Sequence, residues 1–273
     1  MSKPTLPPQL NRASVSHSGT AQPLYPGIHI LKKVPEVTVY FWIIKVLTTA
    51  LGESTSDYLV YHINPYIAVA LGGIGLVVAL ALQLAVRRYI VSMYWSAVTM
   101  VAIFGTMAAD VVHIVLGIPY LVSTIFFAVA LAFIFLAWYA SEKTLSIHSI
   151  STFRREVFYW ATVMVTFALG TAAGDMTAAT LGLGYLLSGV LFLVLFALPT
   201  LAYGLAGLNA ILAFWLAYIV TRPLGASFAD WMGKLPGEGG LGLGDGPVSL
   251  VLVLLIIGFV GYLTITHRDV KGE

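Results

Sequence analysis

The sequence contains no cysteine, which excludes a disulfide framework, a thiolate metal site and a cysteine nucleophile. Charge is scarce as well: 10% of the 273 residues are Asp, Glu, Lys or Arg, while 59% are hydrophobic. An ordinary soluble domain is about a quarter charged, so a water-soluble fold has nowhere to put this much apolar surface. Nucleophile-elbow, phosphate-loop and HExxH patterns are also missing, which argues against hydrolase, nucleotide and protease chemistry and for a protein that is not an enzyme. The basic residues are scattered and form no patch, so nucleic acid is not an expected partner.

What is present is a series of apolar runs separated by short polar breaks. A helix crosses the hydrocarbon layer with roughly 20 apolar residues, and the runs place eight spans near 36–60, 65–86, 90–116, 119–140, 156–180, 183–203, 207–231 and 247–266. The expected class is an all-α integral membrane protein with the lipid bilayer as its solvent. Residues 1–33 are rich in Ser, Pro and Thr and read as a disordered tail. The membrane domain is expected over 34–268, with 269–273 as a second short tail.

Basic residues give the direction of the spans. Lys3, Arg12, Lys32, Lys33, Arg87, Arg88, Lys143, Arg154, Arg155, Arg268 and Lys271 fall on one side, and Lys234 alone on the other. By the positive-inside rule both termini are expected in the cytoplasm, with every odd-numbered helix running outward. The connections on the far side are tight, except a Gly-rich segment from Gly233 to Pro247 that reads as a flexible loop.

The odd helices share a register. An aromatic-Trp pair occurs as Phe41-Trp42, Tyr94-Trp95, Tyr159-Trp160 and Phe214-Trp215. Ten residues after each Trp stands Gly52, Gly105, Gly170 or Gly225, and five later Asp57, Asp110, Asp175 or Asp230. The chain is thus four tandem helix-hairpin repeats, about 34–88, 89–150, 151–205 and 206–268, all parallel. Fifteen residues at 1.5 Å rise set each Asp about 22 Å beyond its Trp, so four carboxylates share one level. The glycines read as close-packing positions and the tryptophans as an interfacial belt.

The acids resist a packing explanation, since an intramembrane carboxylate costs about 2.5–3.5 kcal/mol on insertion scales and faces a partner or a cavity. With Glu53 they number five, against Lys45 and Arg222 inside the spans. A net charge of −3 cannot be cancelled internally, which points to bound protons or cations. Lys45 and Arg222 each lie eight residues before an acid of their own helix, about 12 Å along the axis, so each is expected to find its partner across helices. His113 shares a helical face with Asp110 and is a candidate ligand or proton relay, or a histidine satisfied by hydrogen bonds. Thr106 and Thr171 bring hydroxyls to the faces of Asp110 and Asp175, or bond their own backbone. Pro223 cannot donate a hydrogen bond, and the expectation at Thr221-Arg222-Pro223 is a kink or a local unwinding.

Lys33-Val-Pro-Glu-Val37, Phe41-Trp-Ile-Ile-Lys45, Gly52-Glu53 with Asp57, Pro223-Leu-Gly-Ala226 and Asp230-Trp231 together resemble a group of bacterial membrane-anchored proteins built on a four-times-repeated two-helix element of unassigned function. The resemblance covers roughly residues 33–268. It implies a bacterial inner-membrane location and the same architecture, and it brings no activity. From the residues, the leading expectation is a cation transporter. Glu53, Asp57, Asp110, Asp175 and Asp230 would hold a divalent metal ion such as manganese, calcium or magnesium by hard oxygen ligands, and His113 would join the ion or proton site. Lys45, Thr106, Thr171 and Arg222 would support it. The alternatives are a non-transporting structural or sensory protein with a buried polar network, and a membrane-embedded enzyme or haem protein, for which only His62 and His113 offer ligands. Either a monomer or a homo-oligomer is compatible with the sequence.

Overall fold

A computed structural model describes residues 32–270, and these contain eight long helices and no strand. They are α1 (Val39–His62), α2 (Pro65–Ala85), α3 (Val91–Asp110), α4 (Tyr120–Glu142), α5 (Phe153–Asp175), α6 (Gly184–Ala206), α7 (Ala210–Gly233) and α8 (Asp245–Thr266). Local sequence explains the starts: Thr38, Asn64, Thr152 and Asn209 accept hydrogen bonds from first-turn amides of α1, α2, α5 and α7, and Pro65 occupies the first helical position of α2, where a missing N–H costs nothing. Seven of the helices, α2 to α8, are long and apolar enough to cross a bilayer. Helix α1 falls short of that apolarity because Lys45, Glu53 and Asp57 lie within it.

The odd helices form a closed ring, α1 to α3 to α5 to α7 and back to α1, and the even helices lie outside it. Each even helix packs chiefly on the odd helix that follows it: α2 on α3, α4 on α5, α6 on α7, and α8 on α1. The sequence repeat is therefore an odd-even hairpin, whereas the packing unit is the even helix with its successor. Burial follows the same division. Only Ala68, Gly72, Leu76 and Gln83 are buried in α2, while α7 is buried on all sides from Thr221 to Ser227.

The ring closes through the repeated glycines. A Cβ placed on Gly52 would come within 2.5 Å of Ala102 Cβ, and one on Gly105 within 2.8 Å of Phe167 Cβ. At Gly170 it would overlap the Arg222 stem, and at Gly225 the Thr49 side chain. Ala102, Phe167, Arg222 and Thr49 all stand seven residues after their Trp, so every glycine receives the equivalent residue of the next odd helix.

The end carrying the tryptophans is closed by the chain itself. Residues 32–38 run as a strap: Tyr89 N donates to Lys32 O (2.9 Å), Lys33 N to Ile150 O (3.1 Å) and Glu36 N to Asp269 O (2.9 Å). The Lys33 ammonium pairs with the buried Glu156, which also accepts from Gln83 Nε2 at 3.2 Å. Both tail boundaries of the sequence reading are corrected by this: Lys33 and Asp269 are buried parts of the domain, because strap and connection amides need acceptors. The remainder of the tails, 1–31 and 271–273, lies outside the described residues. A second correction concerns the Gly-rich segment, which folds back on α7 through Leu241 N to Trp231 O (2.7 Å), Gly242 N to Lys234 O (2.8 Å), Leu243 N to Met232 O (3.0 Å) and Gly244 N to Gly233 O (3.1 Å). Those bonds give it a defined path.

Replacing Gly225 by Val is expected to overpack the α7–α1 contact and lower stability by about 1–3 kcal/mol or abolish folding, whereas Gly204→Ala, where nothing lies within 4 Å, should be neutral. Melting of the purified protein in detergent checks both. Equal effects at the two positions would refute the ring closure.

Candidate functional site

The polar site lies inside the ring, where the four copies present the position eleven residues after Trp. These are Glu53, Thr106, Thr171 and Ala226. The first three share the two N–H groups of one guanidinium nitrogen: Arg222 Nη2 stands 2.5 Å from Glu53 Oε2, 2.5 Å from Thr106 Oγ1 and 2.7 Å from Thr171 Oγ1. Arg222 itself is one turn before Ala226 on α7, and a small side chain in the fourth copy leaves room for it. It is completely buried, and its Nε and Nη1 find no hydrogen-bond acceptor among the described residues. Thr106 and Thr171 also donate to Ala102 O and Phe167 O, each at 3.1 Å. Each hydroxyl thus donates to its own helix and accepts from Arg222, and both expected roles are filled at once.

Helix α7 stays helical through Pro223, so local unwinding does not occur there. Arg222 is held instead by packing, since its Cβ and Cγ press on Gly170 and Pro223 Cδ presses on the same glycine. Thr49 Oγ1 donates to Thr221 O at 3.0 Å. The departures from α geometry fall elsewhere, directly after Asp110 and Asp175, where α3 and α5 end in π turns at Val111–Val115 and Met176–Thr180. Such turns widen the helix and occur often at functional sites.

About two turns beyond Arg222 lies the aspartate level. Carboxylate oxygens of Glu53, Asp175 and Asp230, from α1, α5 and α7, lie within 4.8 Å of one another. Glu53 and Asp230 are buried and Asp175 is partly buried. Asp57 is drawn aside by Lys234, whose ammonium pairs with it and lies 4.0 Å from Asp230 Oδ1. Burial pushes the Lys234 amine down, but the carboxylates of Asp57 and Asp230 outweigh it and hold its pKa above the ordinary value. Asp110 occupies the equivalent place on α3 but does not join the three-carboxylate group. With Lys234 included, the five acids stand against three bases among the described residues, of which Arg222 and Lys234 reach carboxylates.

Two expected members sit apart. His113 Nδ1 contacts Ile118 O at 3.0 Å and its Nε2 contacts Ser123 Oγ at 3.3 Å, while its ring lies 4.2 Å from that of Tyr120. Both nitrogens are used in closing the α3–α4 turn, so the hydrogen-bonded alternative is the one the structure shows. Lys45 finds no carboxylate among the described residues: its ammonium sits 4.0 Å from the Phe167 ring centroid and 4.1 Å from that of Tyr218, without a hydrogen bond. The expectation that it pairs with an acid across helices is overturned, because Arg222 reaches Glu53 first and aromatic faces surround the amine. Lys234 is the member that charge counting overlooked. Its signal was its place four residues after Asp230, one turn along the same helix face.

Arg222→Met, which keeps the stem against Gly170, is expected to leave Glu53 buried and unpaired and to cost about 3–5 kcal/mol. Adding Glu53→Gln should recover part of that loss. Additive effects in a double-mutant cycle, read by denaturant unfolding in detergent, would show that the pair is not coupled.

The comparison with protein families accords with this fourfold construction. The model described as Repeat of Unknown Function (DUF347) matches four times, over residues 40–89, 93–144, 158–207 and 213–269. No curated protein and no solved structure matches the chain.

Proposed function

Because the chain belongs to the family built on this four-times-repeated element of unknown function, we propose from its own residues that it is a multipass transporter of a small hard cation, of the manganese, magnesium or calcium class, exchanged against protons. The observation that carries the reading is the meeting of Glu53, Asp175 and Asp230 oxygens from three helices within 4.8 Å. A second points the same way: the Arg222 guanidinium reaches into this group and leaves Nε and Nη1 unsatisfied, as an internal cation does when it occupies part of an ion site. Acids inside apolar surroundings need a counter-ion, and oxygen-only ligation suits hard divalent ions.

In this reading α1 is the eighth span, crossing with its polar face turned into the ring. Its 24 residues reach about 36 Å at 1.5 Å rise, longer than a hydrocarbon layer of about 30 Å. The basic residues set both termini in the cytoplasm, so the aspartate level lies toward the outer side of a bacterial inner membrane. A metal arriving there would displace Arg222 from Glu53 and be held by Glu53, Asp175 and Asp230. Protonation of the same carboxylates would release it, since protons and metal compete for one set of oxygens. The segment that folds back over Lys234 would then form the outer rim of the site. No enzymatic step is called for.

Manganese(II), magnesium or calcium titrated into the purified protein should raise its melting temperature, with the effect weakening as the pH is lowered. At a hundredfold excess over Kd the stabilisation is about 2.7 kcal/mol. Asp175→Asn and Asp230→Asn should each remove the shift and the ion flux into proteoliposomes while the protein still expresses. Loss of thermal stability in these variants, with no ion stabilising the native protein, would instead mark a structural polar network centred on Arg222.

A further inference from the structure

The buried groups that the cation site does not use lie on the other side of Arg222, toward the tryptophan end. Lys45 is wholly buried without a hydrogen bond. On the same Phe167 ring lies Arg222, whose Cζ is 5.7 Å from the centroid, and beyond that guanidinium is Glu53. One face of the amine meets Tyr218, three residues after Trp215 and so at the same register as Lys45. The Tyr218 hydroxyl faces that of Tyr159 across a gap that does not close a hydrogen bond. Tyr159 and Tyr94 hydroxyls are hydrogen-bonded to each other. The Tyr94 ring meets that of Tyr89 edge-on at 5.7 Å, and Tyr89 donates to Asp269 Oδ2 at 2.5 Å. Asp269 is 1% exposed, and its second oxygen has no hydrogen-bond partner among the described residues.

We propose that Lys45, Tyr218, Tyr159, Tyr94, Tyr89 and Asp269 form a proton path between the centre of the ring and its tryptophan end, separate from the cation site. A hydroxyl donates and accepts at once, so a chain of them passes a proton without any member becoming charged. Lys45 loses one N–H bond and keeps the electron pair. Each tyrosine oxygen in turn gains one O–H bond and gives up another, and the Asp269 carboxylate takes the last proton. Side-chain rotations close the three gaps, at Lys45–Tyr218, Tyr218–Tyr159 and Tyr94–Tyr89. Burial and the neighbouring Asp269 push the Tyr89 hydroxyl above its ordinary range, which keeps it in the neutral form a relay needs.

The repeat itself supports a role beyond packing. The residue before Trp is Phe41 and Phe214 in the outer two copies and Tyr94 and Tyr159 in the inner two. Phenylalanine therefore fits this position, and the added hydroxyls appear in the two copies where they meet. The proposal rests on the transport reading only for the ion against which the proton is exchanged.

The test is proton flux into liposomes holding the full chain and a pH-sensitive dye, under an imposed pH gradient, with manganese, magnesium, calcium, sodium or potassium salts inside. Tyr94→Phe combined with Tyr159→Phe should slow the flux at least about tenfold, a modest share of what positioned proton transfer supplies, and Lys45→Met should do the same. The tyrosine variant should keep the native melting temperature and manganese stabilisation. Flux equal to the native rate in the tyrosine variant, or native flux no faster than protein-free liposomes with every salt, overturns the path. Tyrosine-dependent flux without metal stabilisation of the native protein upholds the path and removes the cation reading. Metal stabilisation with tyrosine-independent flux does the reverse.

Discussion

Everything in the interior depends on how closely the four odd helices approach. Each glycine ten residues after Trp accepts the side chain seven residues after Trp from the next helix, and the last contact, Gly225 against Thr49, joins the fourth copy to the first. With no water to drive helices together in an apolar medium, such small-residue contacts supply the packing that holds a bundle. The approach is too close for any side chain at the glycine. It therefore fixes rotation as well as distance, and it turns the positions eleven and fifteen residues after Trp toward one shared interior. The polar site is a consequence of that rotation.

Rotational equality then makes sequence inequality matter. At the eleventh position the copies offer a carboxylate, two hydroxyls and a methyl, and the methyl of Ala226 leaves the space that Arg222 fills from one turn away. A guanidinium carries five donors in a fixed fork, so one buried side chain joins α1, α3, α5 and α7. The unsatisfied Nε and Nη1 show that three acceptors do not complete it. At the fifteenth position Lys234 draws Asp57 outward, while Asp175 and Asp230 stay with Glu53. Four identical residues thus acquire different surroundings: Asp57 paired, Asp230 beside the same ammonium, Asp175 near Glu53, and Asp110 to one side.

The even helices perform a different physical task. Their buried positions are few, and their large apolar side chains point outward, as at Leu71, Phe133, Leu193 and Leu254, which suits contact with lipid tails. Packing each against the following odd helix covers the seam between neighbours in the ring. The tryptophan end is sealed by main-chain hydrogen bonds from the strap, which brings Lys33 to Glu156 and Asp269 to Tyr89. Polar groups close to the chain ends are consequently part of the domain, and the tyrosines behind them connect that end with Lys45.

The helices, the repeat and the shared level of the aspartates were readable from the residues, because helix period, span length and Trp-to-Asp spacing are local quantities that survive any arrangement of neighbours. Glu53 and Arg222 stood out for the same reason: a charge in an apolar run is visible wherever it packs. Partnership was not readable. Lys45 and Arg222 sit at equal distances from acids of their own helices, and only the ring order, with α7 against α1 and α5 across the ring from α1, gives Arg222 a carboxylate and Lys45 two aromatic faces. Lys234 stood alone on the far side in the sequence, and only the packing of α7 against α1 brings its ammonium to Asp57. The pairing of even helices with their successors lay beyond the sequence too, since a hairpin repeat is compatible with either neighbour. Local spacing determined which residues share a depth; tertiary packing decided which of them meet, because only rotation and ring order set distances between helices.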